Sequence, residues 1–422
     1  MTSGPGPLTS SPVPDVDIIT LGCRLNAYES EAMRALAREN AARDTVVVNT
    51  CAVTNEAVRQ ARQSIRRARR ERPEADIIVT GCAAQIDPDA FAAMPEVSRV
   101  IGNAEKMRRQ SFAPDAPRVA VGDIMSVREH AGHLIDGYAE RTRAYVQVQN
   151  GCDHRCTFCI IPYGRGPSRS AAAGEVITQI ERLLDNGAQE IVLTGVDLTS
   201  WGGDLPGTPT LGQLVQRILR HAPALRQLRL SSIDAIEIDP LLFDLVTNEP
   251  RIAPHLHLSL QHGDDLILKR MKRRHARAQA IDLCGRLKTA RPEMALGADL
   301  IAGFPTETDG HFANLLSLID ACSLSYVHAF PFSPRAGAPA ARMPQLDRRV
   351  VKERAARLRA AGGAALRRHL DRWIGREADA LIERDGFARL GDFTPVRFDA
   401  KELGTRFRFT AHDGAHLIGA AA

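Results

Sequence analysis

Three cysteines, Cys152, Cys156 and Cys159, stand at C-x3-C-x2-C spacing in the run Cys152-Asp153-His154-Arg155-Cys156-Thr157-Phe158-Cys159. Thiolates are soft ligands that suit iron–sulfur iron or zinc. Three close thiolates can hold three irons of a cubic cluster, and no fourth cysteine follows nearby. One iron is then open to a non-protein ligand, whereas ferredoxin-like and zinc sites normally close with a fourth ligand. A triplet that stops at three points to catalysis more than to structure. On spacing alone the alternatives are a zinc site completed by His154 or a distant residue, and three unrelated buried cysteines.

Cys23, Cys51 and Cys82 are far apart in sequence, but each follows a β-branched, strand-like run (16–21, 45–48, 76–80) by one to three residues. Helical patterns separate these runs, and 97–101 reads as a fourth strand, so a parallel α/β sheet is expected. In open α/β sheets ligands gather beyond the carboxyl ends of the strands. The three cysteines should therefore converge on one edge as a second three-thiolate set, the alternative being buried structural cysteines. Cys284 and Cys322 fall in helical stretches and read as packing residues.

Residues 144–149 alternate apolar and polar side chains as a half-buried strand does, and Asn150-Gly151 breaks the run just before the triplet. Further strands are expected at 191–194, 227–230, 256–260, 296–301 and 325–330, with helices between them. That is a partial (β/α)6 barrel, with its site at the carboxyl ends of the strands. Those ends carry Gly195-Val196-Asp197, Ser231-Ser232, Gln261-His262 and Gly303 to Glu307. Glycine admits close backbone approach to a ligand, and an acid can bind an amino group. A basic helix should follow over 346–372, with a potential break at Gly362-Gly363. The last fifty residues read as five short strands of a small β-barrel. There Arg406-Phe407-Arg408-Phe409 fits either stacking on bases or an amphipathic strand with its phenylalanines inside.

With 44% hydrophobic and 25% charged residues, the 422-residue chain has the composition of a soluble globular protein. It has no apolar run of 18 residues, so no membrane span is expected. Residues 1–14, rich in Ser, Gly and Pro, read as a disordered leader without signal-peptide features, which implies a cytoplasmic protein. In that reducing compartment clustered cysteines suggest metal or catalysis before disulfides. Net charge is only +5, but basic residues crowd 59–72, 269–277 and 348–372. Three such runs suggest RNA or another polyanion as partner.

Taken together, the chain resembles the radical S-adenosylmethionine (SAM) methylthiotransferases along nearly its whole length. The resemblance rests on Thr20-Leu21-Gly22-Cys23-Arg24-Leu25-Asn26-Ala27-Tyr28-Glu29-Ser30-Glu31, Asn49-Thr50-Cys51 and Thr80-Gly81-Cys82. It rests also on Gly151 to Pro162, Asp299 to Glu307 and Phe330 to Gly337. It implies an N-terminal α/β domain over 15–112, a connector over 113–142 with at most one short strand, and a radical SAM barrel over 143–372. A TRAM-like RNA-binding barrel would occupy 373–422. It also implies that Cys152, Cys156 and Cys159 hold a radical-generating 4Fe–4S cluster, and that Cys23, Cys51 and Cys82 hold an auxiliary 4Fe–4S cluster carrying the sulfur. SAM would serve as methyl donor and as radical source. Asp197 aligns with the acid that binds the SAM amino group, and Ser231, Gln261 and Gly303 are further candidates for that pocket.

The residues round Cys23 look most like the branch that acts on C2 of N6-threonylcarbamoyladenosine, beside the anticodon of tRNA. The same chemistry on isopentenyladenosine, or on an aspartate of a ribosomal protein, is the alternative within the family. A non-catalytic, zinc-stabilised RNA-binding protein is the alternative outside it. Gln261-His262-Gly263 departs from the family's usual Gln-Ser-Gly, and Asp197 stands where Asn is common. The implied partners are a tRNA anticodon stem-loop, an electron donor such as flavodoxin or ferredoxin, and a sulfur source, with no membrane.

Overall fold

Valine and isoleucine runs build the first sheet, as expected of β-branched residues. In the computed structural model, residues 15–41, 43–129, 135, 142–399 and 405–422 are described. The leader read over 1–14 and part of the connector lie outside them. Two units are distinguished, one of Met1–Ala52 with Glu56–Ile124 and one of Val53–Asn55 with Met125–Ala422.

The first unit holds five parallel strands in sequence order: β1 (Val16–Thr20), β2 (Thr45–Thr50), β3 (Asp76–Gly81), β4 (Arg99–Ile101) and β5 (Val119–Ala120). The short strand expected in the connector is β5, and it extends this sheet. β2 is buried along its whole length, as a central parallel strand must be. Helices α1 (Arg24–Asn40) and α2 (Asn55–Glu71) follow β1 and β2. Most arginines of α2 are engaged close by: Arg59 with Glu56, Arg67 with Glu71, Arg66 with Glu96, and Arg69 with the carbonyls of Pro73, Ala75 and Glu96. That run is thus in good part a locally neutralised helix face.

One member of the motif round Cys23 is structural. Glu29 forms a 2.6 Å ion pair with Lys106, the two side chains being 2% and 0% exposed. Removing one partner of such a pair leaves an uncompensated buried charge. Lys106→Met should lower stability by about 3 to 5 kcal/mol, read as a shift in the denaturant midpoint, and Glu29→Leu in the same chain should recover part of the loss.

The second unit begins with six parallel strands: β6 (Arg143–Gln147), β7 (Glu190–Thr194), β8 (Gln227–Leu230), β9 (His255–Gln261), β10 (Ala295–Ala302) and β11 (Leu324–Pro331). β6, β7 and β8 pair in that order. A two-residue continuation of β8, Ser232–Ile233, passes the sheet on to β9, which pairs with β10, and β10 with β11. This is the expected (β/α)6 arrangement. Leu256, Leu258, Leu260, Leu296, Ala298 and Leu300 are wholly buried on the helix-covered face. The alternate residues, among them His257, Ser259, Asp299 and His328, therefore take the inner face.

Helix α3 (Arg348–Asp371) runs unbroken through Gly362-Gly363. A Cβ at Gly362 would stand 2.8 Å from the Cβ of Val327, so this glycine serves close packing on β11 and makes no break.

The last strands, β12 (Glu377–Arg384), β13 (Phe387–Leu390), β14 (Pro395–Arg397), β15 (Arg406–His412) and β16 (Leu417–Ala421), close a barrel in the order β12-β13-β14-β16-β15. Phe407 and Phe409 lie in its core with Val396 and Leu417. Arg406 and Arg408 face out and pair with Glu377. The amphipathic reading of this strand is thus correct, and stacking of bases on these two rings is excluded.

The loop between β13 and β14 places Phe393 at the amino ends of the (β/α)6 strands. Its ring stacks on His255 at 4.9 Å and lies under the guanidinium groups of Arg229, at 4.9 Å, and Arg389, at 4.2 Å. Glu190 accepts two hydrogen bonds of 2.9 Å from Arg229 and another from Arg143. Burial works to raise its pKa, but the two arginines outweigh it and hold Glu190 at about 2. The small barrel thus packs against the end of the (β/α)6 barrel remote from the cysteine loop. Among the described residues, no helix is long and apolar enough to cross a membrane.

Candidate active site

In the first unit, strand register sets the site. Thr20 is level with Asn49 and Thr50 with Gly81, so the residues after β1, β2 and β3 leave the sheet at one edge. Cys23 caps α1, and Cys82 opens a short helix, Cys82–Ile86. Gly22 and Gly81 both have φ of +94°, which favours glycine. A Cβ at Gly22 would lie 2.9 Å from the sulfur of Cys51, and one at Gly81 would lie 2.3 Å from the carbonyl oxygen of Thr50. These two contacts draw the three cysteine-bearing turns together. Asn26 ties them further, donating to the carbonyls of Leu21 at 2.6 Å and Thr50 at 3.2 Å. The amide of Asn103 points at the sulfur of Cys82, 3.8 Å away.

In the second unit the cysteine loop is pinned on several sides. The N–H of Cys152 donates to Gly166, and the N–H and hydroxyl of Thr157 donate to Met271 and Arg270. Gln149, fully buried, donates to the carbonyl of Gly151 and accepts from the N–H groups of Val196 and Asp197. It therefore fixes the loop to the end of β7. Sequence alternation marks Gln149 only as a strand residue, one polar side chain among Gln147, Gln149 and Asn150 before the triplet.

Asp197 lies at the triplet, its Oδ2 3.7 Å from the sulfur of Cys152 and 2.7 Å from both His154 and the Ser200 hydroxyl. Burial opposes its ionisation, but the hydrogen bonds from His154 and Ser200 prevail and hold it below the usual carboxylate range. The same bond raises the pKa of His154. Burial and the Asp197 carboxylate push the Cys152 thiol well up.

Ser231 follows β8 with a buried hydroxyl that has no hydrogen-bond partner among the described residues. Gln261 ends β9 at φ +67°, where the pairing with β10 slips. Gly303 is placed differently. Its N–H bonds to Glu307, and a Cβ there would meet Val351 of α3 at 2.8 Å, so helix packing accounts for the glycine. Glu307 is fully buried among His262, Arg354 and Gly303, and therefore does not present its carboxylate to a ligand. His262 serves this buried network.

Within the basic run 269–277, Arg273 turns inward, while Lys269, Lys272 and Arg274 stay exposed. Arg273 sets one guanidinium nitrogen 3.6 Å from the sulfur of Cys156 and the other 2.7 Å from both Asp234 and the carbonyl of Ser259. Arg274 pairs with Glu237, and Arg277 donates to the carbonyls of Gly263 and Asn314. Charge counting alone could not separate this wall from a nucleic-acid surface.

These donor sets suit iron–sulfur clusters. N–H groups aim at sulfur from Arg273 toward Cys156, from Ile161 toward Cys159 at 3.4 Å, and from Asn103 toward Cys82. Such donors stabilise thiolate ligands and raise the potential of a bound cluster. Arg273→Gln should lower the midpoint potential of a cluster on Cys152, Cys156 and Cys159 by on the order of 60 mV, the one-electron equivalent of about 1.4 kcal/mol for a charged hydrogen bond. A redox titration followed by electron paramagnetic resonance reads this shift, and Arg273→Lys should restore part of it.

Comparison with known proteins agrees with this geometry. A family model described as the Radical SAM superfamily matches residues 146–319, which include the triplet. A second, described as Uncharacterized protein family UPF0004, matches residues 15–102, which include Cys23, Cys51 and Cys82. The threonylcarbamoyladenosine tRNA methylthiotransferase MtaB of Rickettsia prowazekii (strain Madrid E) is 49% identical over 383 residues, 91% of this chain and 91% of the relative. The Bacillus subtilis (strain 168) protein of that name is 37% identical over 353 residues, 80% of this chain and 78% of the relative. Among solved structures, the radical SAM methyltransferase TsrM from Kitasatospora setae shares the fold with a TM-score of 0.51 at 16% identity, covering 75% of this chain and 67% of that one.

Proposed function

The chain belongs to the MtaB family of radical SAM tRNA methylthiotransferases, and from that premise we propose that it inserts a methylthio group at C2 of N6-threonylcarbamoyladenosine next to the anticodon, using two 4Fe–4S clusters and SAM. The observation that carries this reading is 49% identity over 91% of the chain, combined with two three-cysteine sets at strand ends. When bound, the two clusters supply the electron that cleaves SAM to a radical and the sulfur that is transferred.

The protein's own residues have separable tasks. Cys152, Cys156 and Cys159 would hold one cluster, with three thiolates for a site at which SAM could bind, and Cys23, Cys51 and Cys82 would hold the other. Asp197, kept ionised beside Cys152, suits the SAM amino group. The Ser231 hydroxyl, without a hydrogen-bond partner among the described residues, suits a further polar group of SAM, and Gln261 completes the rim. Arg273 supports thiolate at Cys156. On the small barrel, Phe387 lies under Arg384 and Arg397 with His416 at its edge, a basic and aromatic patch that suits the tRNA stem-loop. A cytoplasmic location, a flavodoxin- or ferredoxin-type electron donor and a separate sulfur source belong to this reading.

The test uses reconstituted enzyme with SAM, reductant and sulfide, and anticodon stem-loop RNAs carrying threonylcarbamoyladenosine or isopentenyladenosine. Methylthiolation of the first RNA and not the second is expected. Preference for the second would overturn the substrate, and methylthiolation of neither would overturn the reaction.

A further inference from the structure

We propose that His257, Asp299 and His328, none of them a member of either cysteine set, form a binding site for a divalent transition-metal ion on the inner wall of the (β/α)6 barrel. The three residues come from three adjacent parallel strands, β9, β10 and β11. Asp299 is level with His328, and His257 is level with Gly297, two residues before Asp299 on the same face. Nε2 of His257 is 2.9 Å from Oδ1 of Asp299, and Nδ1 of His328 is 3.0 Å from the same oxygen. All three ligand atoms lie within 4.8 Å of one another. The two imidazole rings are 4.6 Å apart and inclined by 34°, so they fan round one carboxylate oxygen.

The surroundings are shaped for this group. A Cβ at Gly297 would stand 2.7 Å from Nδ1 of His257, so the glycine leaves the ring its seat. Exposure rises across the site, from 7% for His257 through 28% for Asp299 to 59% for His328. One side is therefore walled and the other open to incoming ligands. Burial would raise the Asp299 pKa, but hydrogen bonds from both histidines prevail and hold it far below the carboxylate range. The carboxylate is charged whenever a cation is offered.

Two imidazole nitrogens and one carboxylate oxygen suit zinc, iron(II) or nickel better than magnesium or calcium. Two neutral histidines and one aspartate leave a divalent ion with a net positive charge, so its open positions favour an anionic or oxygen ligand. Without a cation, both facing nitrogens must carry protons to bond Asp299; a bound cation replaces them. None of the three is among the residues assigned above to the clusters or to SAM, and the inference does not depend on which nucleoside is modified.

The test measures zinc uptake by the cluster-loaded protein. Anaerobically purified wild type, Asp299→Asn and His328→Ala are stripped of loosely held metal with a chelator and dialysed against micromolar Zn2+. Zinc, iron and sulfide are then counted per chain. The wild type should retain one more zinc than either variant, with equal iron and sulfide in all three. Equal zinc in all three, at equal iron, would overturn the proposal. Iron content reports folding; should Asp299→Asn lose iron, His328→Ala decides, because its exposed ring is not needed for packing.

Discussion

Cys152→Ala is expected to abolish formation of 5′-deoxyadenosine from SAM and, on the proposed two-cluster reading, to lower iron from about eight to about four atoms per chain. The loop itself should survive the substitution. Gln149, Thr157 and the Gly166 carbonyl hold its backbone through groups other than the cysteine sulfur. Lost activity then reports the missing ligand and not a collapsed barrel. The buried Asp197 beside Cys152 should keep its bonds to His154 and Ser200 in the variant, because neither involves the cysteine sulfur. Anaerobic turnover with chromatographic detection of 5′-deoxyadenosine measures the effect. A normal rate in Cys152→Ala would show that this triplet does not generate the radical.

Cys82→Ala separates the two halves of the reaction. It should also lose about four irons, yet retain SAM cleavage, while methylthio product falls to background. Each of the two units has its own sheet: β1 to β5 in one, the (β/α)6 barrel in the other. Cys82 begins a five-residue helix after Gly81, and its sulfur faces the Asn103 amide. Alanine fits that helix, so loss of a ligand is the main consequence. Unimpaired product formation by Cys82→Ala would remove the sulfur-carrying role from the first unit.

Strand-bearing segments were legible because their signals are local. β-branched runs mark β1 to β3, and alternation marks β6, so the cysteines after them could be placed on a sheet edge and a barrel rim. Signals that depend on which face a residue takes were not legible. The run 269–277 reads as a cationic surface, yet Arg273 turns in to meet Cys156. Glu307 reads as a rim acid, yet His262 and Arg354 bury it. Gly362-Gly363 reads as a break, yet the helix continues because glycine there fits against Val327. His257, Asp299 and His328 are separated by 42 and 29 residues and meet only through the pairing of β9, β10 and β11. No window of sequence contains them together.

The measurement that tests the central claim most directly is mass spectrometry of nucleosides from total tRNA, taken from the host with and without this gene. The account predicts that deletion removes 2-methylthio-N6-threonylcarbamoyladenosine, that its precursor lacking the methylthio group accumulates, and that the methylthio isopentenyl nucleoside is unchanged. Persistence of the methylthio threonylcarbamoyl nucleoside in the deletion, with loss of the isopentenyl one or of neither, would contradict it.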